Sequence, residues 1–424
     1  MLEKALNFFK KNSLLSGSFI VLLGNALGNF ASYLYHLLIG RFLGPSDYGL
    51  LAGLLSLSYY LGIPVSVLGW LVVKYVSPKN KDHSWVFFFV KKICLQIFPY
   101  AFWGFIFFLF MFPWLKNLLK IPSFFLFLGI ALNGFFSVYS GVFAAVIQGL
   151  KNFDKLAILN IASNWLRLVF GLLAVFLGLK VGGIVYSAIF ATFITLFLSY
   201  FLVKPPLFLK NKKKELKIEI SLDNFKSYFI SFFLANISLI SLMTADVILA
   251  RFFLSSLESG YYASLSVLGR IIFFASSPVV SVMFPMVAEE HAKGGRYWRN
   301  FFISFLTIFS ISLTILLVYF SFPHLMVRIL FGESYLAAAK FLPYFALLFS
   351  LYSFCYLIVN FFLSISELKV SYLAFLFAGL QVVLIYSFHQ NFLQIIKANI
   401  FGISLLFFCL MIYLFKKIIS FKDG

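Results

Sequence analysis

The sequence predicts an all-α polytopic membrane protein of about twelve transmembrane helices, and three observations carry that prediction. Of its 424 residues, 62% are hydrophobic and only 11% are charged, against about a quarter charged in soluble domains. Apolar runs such as Leu14 to Ile39 exceed the roughly 20 residues that cross a hydrocarbon core. The basic residues sit in short loops between such runs, as a multi-pass chain requires. A formal charge of +20 raises nucleic acid as a partner. The basic residues form no soluble patch interleaved with aromatics, so that class is excluded.

The spans are expected over 14–39, 48–76, 93–113, 122–147, 156–179, 182–203, 226–253, 260–287, 300–320, 342–363, 370–388 and 392–415. The first is a retained helix rather than a cleavable signal, because its apolar run is too long and no small-residue cleavage site follows. Segments 84–92 and 323–341 read as interfacial pieces, each mixing aromatic or apolar residues with charge. With the N-terminus inside, 23 Lys/Arg fall on the inner side, 8 on the outer side and 3 within spans. The inner set includes Lys4, Lys10, Lys11, Lys151, Lys155, Lys293, Arg296, Arg299, Lys416 and Lys417. Such a bias predicts both termini in the cytoplasm and a cell-membrane location. Lys74 reads as an anchor at a cytoplasmic helix end.

The longest charged loop, Lys204 to Lys226, divides six spans from six. The chain therefore reads as an N-terminal lobe, 1–208, and a C-terminal lobe, 209–424. A short echo relates them. Arg41 precedes Asp47, Gly49 and Ala52, and Arg251 precedes Glu258, Gly260 and Ala263. Both copies occupy the first hairpin of a six-span set, the mark of a parallel repeat.

Polar side chains inside spans are costly and turn toward a bundle interior or a wet cavity. Span 1 carries Asn25, Asn29, Ser32 and His36 at helical spacing, and span 5 carries Asn160, Ser163, Asn164 and Arg167. Span 8 carries Ser266, Arg270, Ser277 and Ser281 on one face. For the serines, packing between helices is the plainer explanation. Arg167 and Arg270 lie too deep to reach an interface easily, so each needs water, an acid or an anionic ligand. Asp246 in span 7 is placed to pair with Arg167, Arg270 or Arg251, or to hold a coupling ion. His36 titrates near neutrality and is a second coupling candidate, although a packing role fits a single histidine too. Pro64, Pro278 and Pro285 mark bends. Cys94, Cys355 and Cys409 lie apart in apolar segments and read as packing residues. No phosphate-cradling loop, metal spacing or sizeable outer loop points to an enzyme, and neither cofactor nor metal is expected.

Ile39-Gly-Arg-Phe-Leu-Gly-Pro-Ser-Asp-Tyr-Gly49 resembles the first-hairpin motif of polysaccharide flippases of the multidrug/oligosaccharidyl-lipid/polysaccharide (MOP) exporter superfamily. Gln148 to Phe153, Ser259 to Ala263, Phe284-Pro285 and Phe331 to Tyr335 resemble further recurring segments, in the right order along most of the chain. The resemblance implies two six-helix lobes around a central cavity, a MATE-like arrangement. It implies movement of an undecaprenyl-pyrophosphate-linked oligosaccharide from the inner to the outer leaflet, with the lipid tail left in the bilayer. The cavity candidates are Arg270, Arg167, Asn25, Asn29 and Asn164, with Asp246 and His36 as coupling-ion candidates. A monomer is expected. The alternative is a multidrug extrusion antiporter driven by H+ or Na+, which Asp246 keeps open. A purely structural membrane protein fits poorly with buried arginines. Peptidoglycan-precursor flippases usually carry two more C-terminal helices.

Overall fold

In lipid a backbone without internal hydrogen bonds is too costly, so each apolar run must close on itself as a helix. The computed structural model describes residues 13–76, 83–203, 226–295 and 297–422, and its elements are helices throughout. Chain order gives α1 (Ser13–Val76), α2 (His83–Phe110), α3 (Phe112–Leu119), α4 (Phe124–Gly149), α5 (Phe153–Phe176) and α6 (Lys180–Val203). There follow α7 (Lys226–Phe253), α8 (Ser256–Ala292), α9 (Tyr297–Ser321) and α10 (Pro323–Leu330). A 3-10 turn (Glu333–Phe341) leads into α11 (Leu342–Ser364), α12 (Lys369–Ser387) and α13 (Phe392–Lys422).

Eleven helices among the described residues are long and apolar enough to cross a membrane. The first, Leu23–Val73, spans 51 residues and holds both of the first two expected spans, which restores twelve crossings. Gly44 separates them at φ 73°, a left-handed conformation that a Cβ would oppose. Two expectations need correction. Residues 84–92 are no separate interfacial piece but the first turns of α2. Spans 1 and 2 are joined by a single broken residue rather than a loop. Residues 323–341 form the short helix α10 and a 3-10 turn that runs directly into α11. The Lys204 to Lys226 linker up to residue 225, Lys4, Lys10, Lys11, Arg296 and the side chain of Lys74 lie outside the described residues.

The chain forms two compact units. The first comprises residues 1–39, 61–116 and 121–220. Within it α4 packs on α6 and α2, and α5 packs on α6. Val142, Val146, Ile147, Leu156 and Leu159 share a buried core there. The second comprises residues 40–60, 117–120 and 221–424. Its centre is α11, which packs on α8, α9 and α13 and buries Phe345, Phe349, Leu357, Ile358, Phe361 and Phe362. Ser255 starts α8 with a reciprocal pair of hydrogen bonds to Glu258, a capping box. Residues 40–60 precede the mid-chain linker yet belong to the second unit.

Candidate functional site

A buried polar knot sits inside the second unit, where α7, α8, α12 and α13 approach one another. Asp246 on α7 is 1% exposed. Its carboxylate accepts hydrogen bonds from the Tyr262 hydroxyl at 3.0 Å, the Asn399 amide at 2.9 Å and the Val247 N–H at 2.8 Å. Asn399 in turn accepts from the Gln381 amide, which also reaches the Leu242 carbonyl at 3.2 Å. Around this centre the polar residues are shielded: Gln381, Asn399 and Tyr262 are each 0% exposed. The charge of Arg270 acts on Asp246 through the interior without direct contact. Arg270 is itself 4% exposed, donates to the Met243 carbonyl at 2.9 Å, and lies 5.9 Å from the Phe349 ring. Its Nε, and the side-chain oxygen of Gln381, find no hydrogen-bond partner. Unpaired groups this deep cost about 1–3 kcal/mol each, so the knot holds unused donor and acceptor capacity.

The first unit carries a different polar face, on α1 and α5. Asn25 and Asn29 are exposed within an apolar helix. The Asn160 amide donates to Asn25 at 2.7 Å, and the Asn164 amide donates to the Asn160 carbonyl at 2.8 Å. Gly28 lets the two helices come this close, because a Cβ there would meet the Asn160 carbonyl oxygen at 3.1 Å. Two helical turns beyond Asn160 along α5, about 10 Å, the Arg167 guanidinium carbon sits 4.7 Å from the centre of the Tyr35 ring. Stacking on an aromatic face suits a cation that is partly desolvated. The Nε of Arg167 has no partner. His36 is half-buried, edge-on to Tyr35 at 5.6 Å.

Thus the structure brings Asn25, Asn164 and Arg167 onto adjoining faces of one helix pair, with Asn29 exposed on α1. It places Arg270 with Asp246 in the other unit. Asp246 forms no ion pair with Arg167, Arg270 or Arg251. Among the described residues the ion pairs are Glu289–Lys293, Arg328–Glu333 and Glu367–Lys417. Arg251 instead donates to the Leu119 carbonyl and the Ser259 hydroxyl. Asn399, Gln381 and Tyr35 are not singled out by sequence, and Tyr262 enters it only inside the 259–263 segment. An amide in each of the last two apolar spans was the available signal for Gln381 and Asn399. Tyr35, one tyrosine among 22, carried none.

A family model described as "Polysaccharide biosynthesis protein" matches residues 38–340. No curated protein matches the sequence. Among solved structures, the lipid II flippase MurJ in an inward closed conformation aligns with a TM-score of 0.68 at 14% identity, covering 94% of this chain and 87% of that one. An inward-facing multidrug resistance MATE family transporter of the MOP superfamily aligns with a TM-score of 0.64 at 16% identity, covering 96% and 99%. An outward-facing multidrug resistance MATE family transporter of the same superfamily gives 0.60 at 17% identity, covering 96% of each chain. The fold is that of the MOP exporters.

Proposed function

The chain belongs to the polysaccharide biosynthesis protein family, and we propose that it flips an undecaprenyl-pyrophosphate-linked oligosaccharide from the inner to the outer leaflet of the cell membrane. The observation that carries this reading is the polar face of α1 and α5. Amides on that face, Asn25, Asn29, Asn160 and Asn164, suit sugar hydroxyls. Arg167, with an Nε lacking a protein acceptor, suits a pyrophosphate or an acidic sugar. The family description supports a cargo for surface polysaccharide synthesis, and the similarity to a lipid II flippase supports a lipid-linked one. Arg270 adds positive charge in the second unit, where it also offsets Asp246. The two units pass the headgroup by alternating access, with both termini in the cytoplasm.

A second reading is favoured by the Asp246 knot. A buried carboxylate joined to two amides and a phenol is a fitting place for H+ or Na+, and a drug antiporter needs one. The same site serves equally to drive a flippase, so the knot bears on coupling more than on cargo. One experiment separates the cargoes. Purified protein in liposomes is given a fluorescent polyprenyl-pyrophosphoryl sugar and, separately, a cationic dye under a proton or sodium gradient. The flippase reading predicts movement of the lipid-linked sugar and none of the dye. Gradient-driven dye movement with a static lipid-linked sugar would overturn it.

A further inference from the structure

Inside the first unit, α2 packs chiefly on α4 and leaves open space beside it. Its residues Cys94, Ile97, Ala101, Gly104 and Phe108 recur at steps of three and four, so they form one stripe along the helix. Small residues such as Ala101 and Gly104 on α2, and Ala131 and Gly134 on α4, ordinarily let two membrane helices close on each other. Here the closure is incomplete, since a Cβ on Gly104 would meet nothing within 4 Å. The space is a cavity of about 210 Å³, lined by these four residues and by Leu61, Pro64 and Phe135. A second cavity, of about 440 Å³, takes the other end of the stripe, between Cys94, Tyr139, Phe143, Phe193, Phe197 and Tyr200. The two adjoin where the Phe135 ring, in the wall of the first, stands edge-on to the Tyr139 ring, in the wall of the second, at 5.5 Å. Phe108, stacked on Phe127 at 4.5 Å, ends the stripe.

Apolar cavities stay dry, and an empty one forfeits the dispersion contacts of its lining. Between membrane spans the filler at hand is lipid hydrocarbon. Along the helix Cys94 and Phe108 stand about 21 Å apart. Half a hydrocarbon core is about 15 Å, so an acyl chain confined to one leaflet ends short of the track, whereas a polyprenyl chain is several times longer and fills it. The Tyr139 hydroxyl is buried without a hydrogen-bond partner. An alkene is a weak acceptor for such a group, and a polyprenyl chain carries one in every isoprene. Just before Cys94 lie Lys91, exposed, and Lys92, half-buried. Lys91 is one turn from Cys94 on the same side of α2. Cations beside the mouth of an apolar track suit a lipid whose head is an anionic phosphate.

We propose that the α2 stripe is the loading site for the tail of the cargo: a polyprenyl chain lies in the two cavities, with its pyrophosphate against Lys91 and Lys92. The proposal rests on the transport reading above. With both termini in the cytoplasm, the lysine end of α2 is the inner one, where the cargo starts, and this contact precedes that with Arg167. In the test, a polyprenyl-pyrophosphoryl-N-acetylglucosamine with a diazirine midway along its tail is photolysed with the protein in liposomes. A phosphatidylglycerol with a diazirine in one acyl chain is treated alike, and the labelled peptides are read by mass spectrometry. The polyprenyl probe should label residues 94–108 and 131–143 at least fivefold more than the phospholipid probe. Gly104→Leu fills the open space and removes a glycine from a helix, so it should keep the unfolding midpoint in detergent while cutting that labelling at least fivefold. Lys91→Gln with Lys92→Gln should cut labelling by this probe and spare labelling by an uncharged polyprenol carrying the same diazirine. Equal labelling by the two lipids, labelling spread evenly over all the spans, or full labelling of Gly104→Leu would overturn the site. So would a lysine-pair variant that loses no labelling, or loses it equally with the polyprenol. Photolabelling needs no transport. A protein labelled on α2 and α4 that moves no lipid-linked sugar keeps the site and loses the cargo reading; flipping without labelling there keeps the cargo reading and overturns the site.

Discussion

Asp246 shows how a single side chain can be read from sequence in kind but not in company. An acid in an apolar span had to be buried and partnered, and three arginines were the partners that charge alone suggested. The structure satisfies it instead with a phenol, an amide and a backbone N–H, and leaves Arg270 at one remove. Partners drawn from α8 and α13 depend on how the bundle closes, which residue spacing within one helix cannot reveal. The amide face of α1 and α5 was legible because its period is that of a single helix. Asp246→Asn puts an N–H₂ where two donors now point and removes the charge that offsets Arg270. It should lower stability by about 2–4 kcal/mol, seen as an earlier thermal unfolding midpoint in detergent. An unchanged midpoint would mean that the knot is not a structural centre. Glu367 offers a contrast at a bundle edge. It accepts hydrogen bonds from Lys417 and from Tyr413, the latter at 3.2 Å. The hydrogen bond from Lys417, against some desolvation, holds its carboxyl below the ordinary 4.5. An acid with a depressed folded value stabilises above its unfolded value and loses that contribution as pH falls through the folded one. The pair is part-exposed, so its worth is about 0.5–1 kcal/mol. Glu367→Gln should therefore lower the unfolding midpoint at about pH 7, and the gap should close as pH drops below 4.5.

Helices were the most legible scale, because about twenty apolar residues in a bilayer have one economical backbone solution. Most spans emerged within a few residues of their expected limits, although α2 begins at His83 rather than 93 and α13 runs on to Lys422. Turns were less so. Nothing in 84–92 signalled continuity with the next span, because its lysines resembled a boundary. Nor did composition show that Gly44 alone would separate two spans. Several turns use lysine where glycine is usual: Lys120, Lys151 and Lys180 have φ of 51°, 58° and 47°. Lys120 and Lys151 each follow a helix, where a cation also complements the carbonyl end of the dipole, whereas Lys180 opens α6. The left-handed conformation costs a Cβ-bearing residue about 1–2 kcal/mol, and the dipole returns about 0.3–1 kcal/mol at such a site. Lys151→Gly should thus stabilise the turn between α4 and α5 by up to about 1 kcal/mol. A raised unfolding midpoint in detergent checks it, and a lowered one would show that the charge matters more than the strain.

At the scale of the whole molecule the central charged loop suggests six spans on either side of it, and nothing in it signals that residues 40–60 group with the second unit. That grouping arises from contact between distant segments, such as Gly49 against Gly260, and single-chain periodicity is blind to it. Orientation rests on the excess of inner lysine and arginine. A cysteine in place of Lys180 should react with an impermeant maleimide added outside intact cells, and one in place of Lys213 should not; the reverse would invert the topology. Such an orientation has an energetic consequence for transport. An inside-negative potential favours outward passage of an anionic headgroup by about 2.3 kcal/mol per charge per 100 mV, so a pyrophosphate with two charges gains roughly 4–5 kcal/mol. The most direct measurement is therefore the rate of outward flipping of a polyprenyl-pyrophosphoryl sugar in oriented liposomes, with the potential clamped and no ion gradient. The native protein should flip faster at inside-negative potential than at zero. Arg167→Ala with Arg270→Ala should abolish that movement, and lysine at the same positions should restore part of it. Full flipping by the double alanine variant, at equal protein in the membrane, would contradict the account.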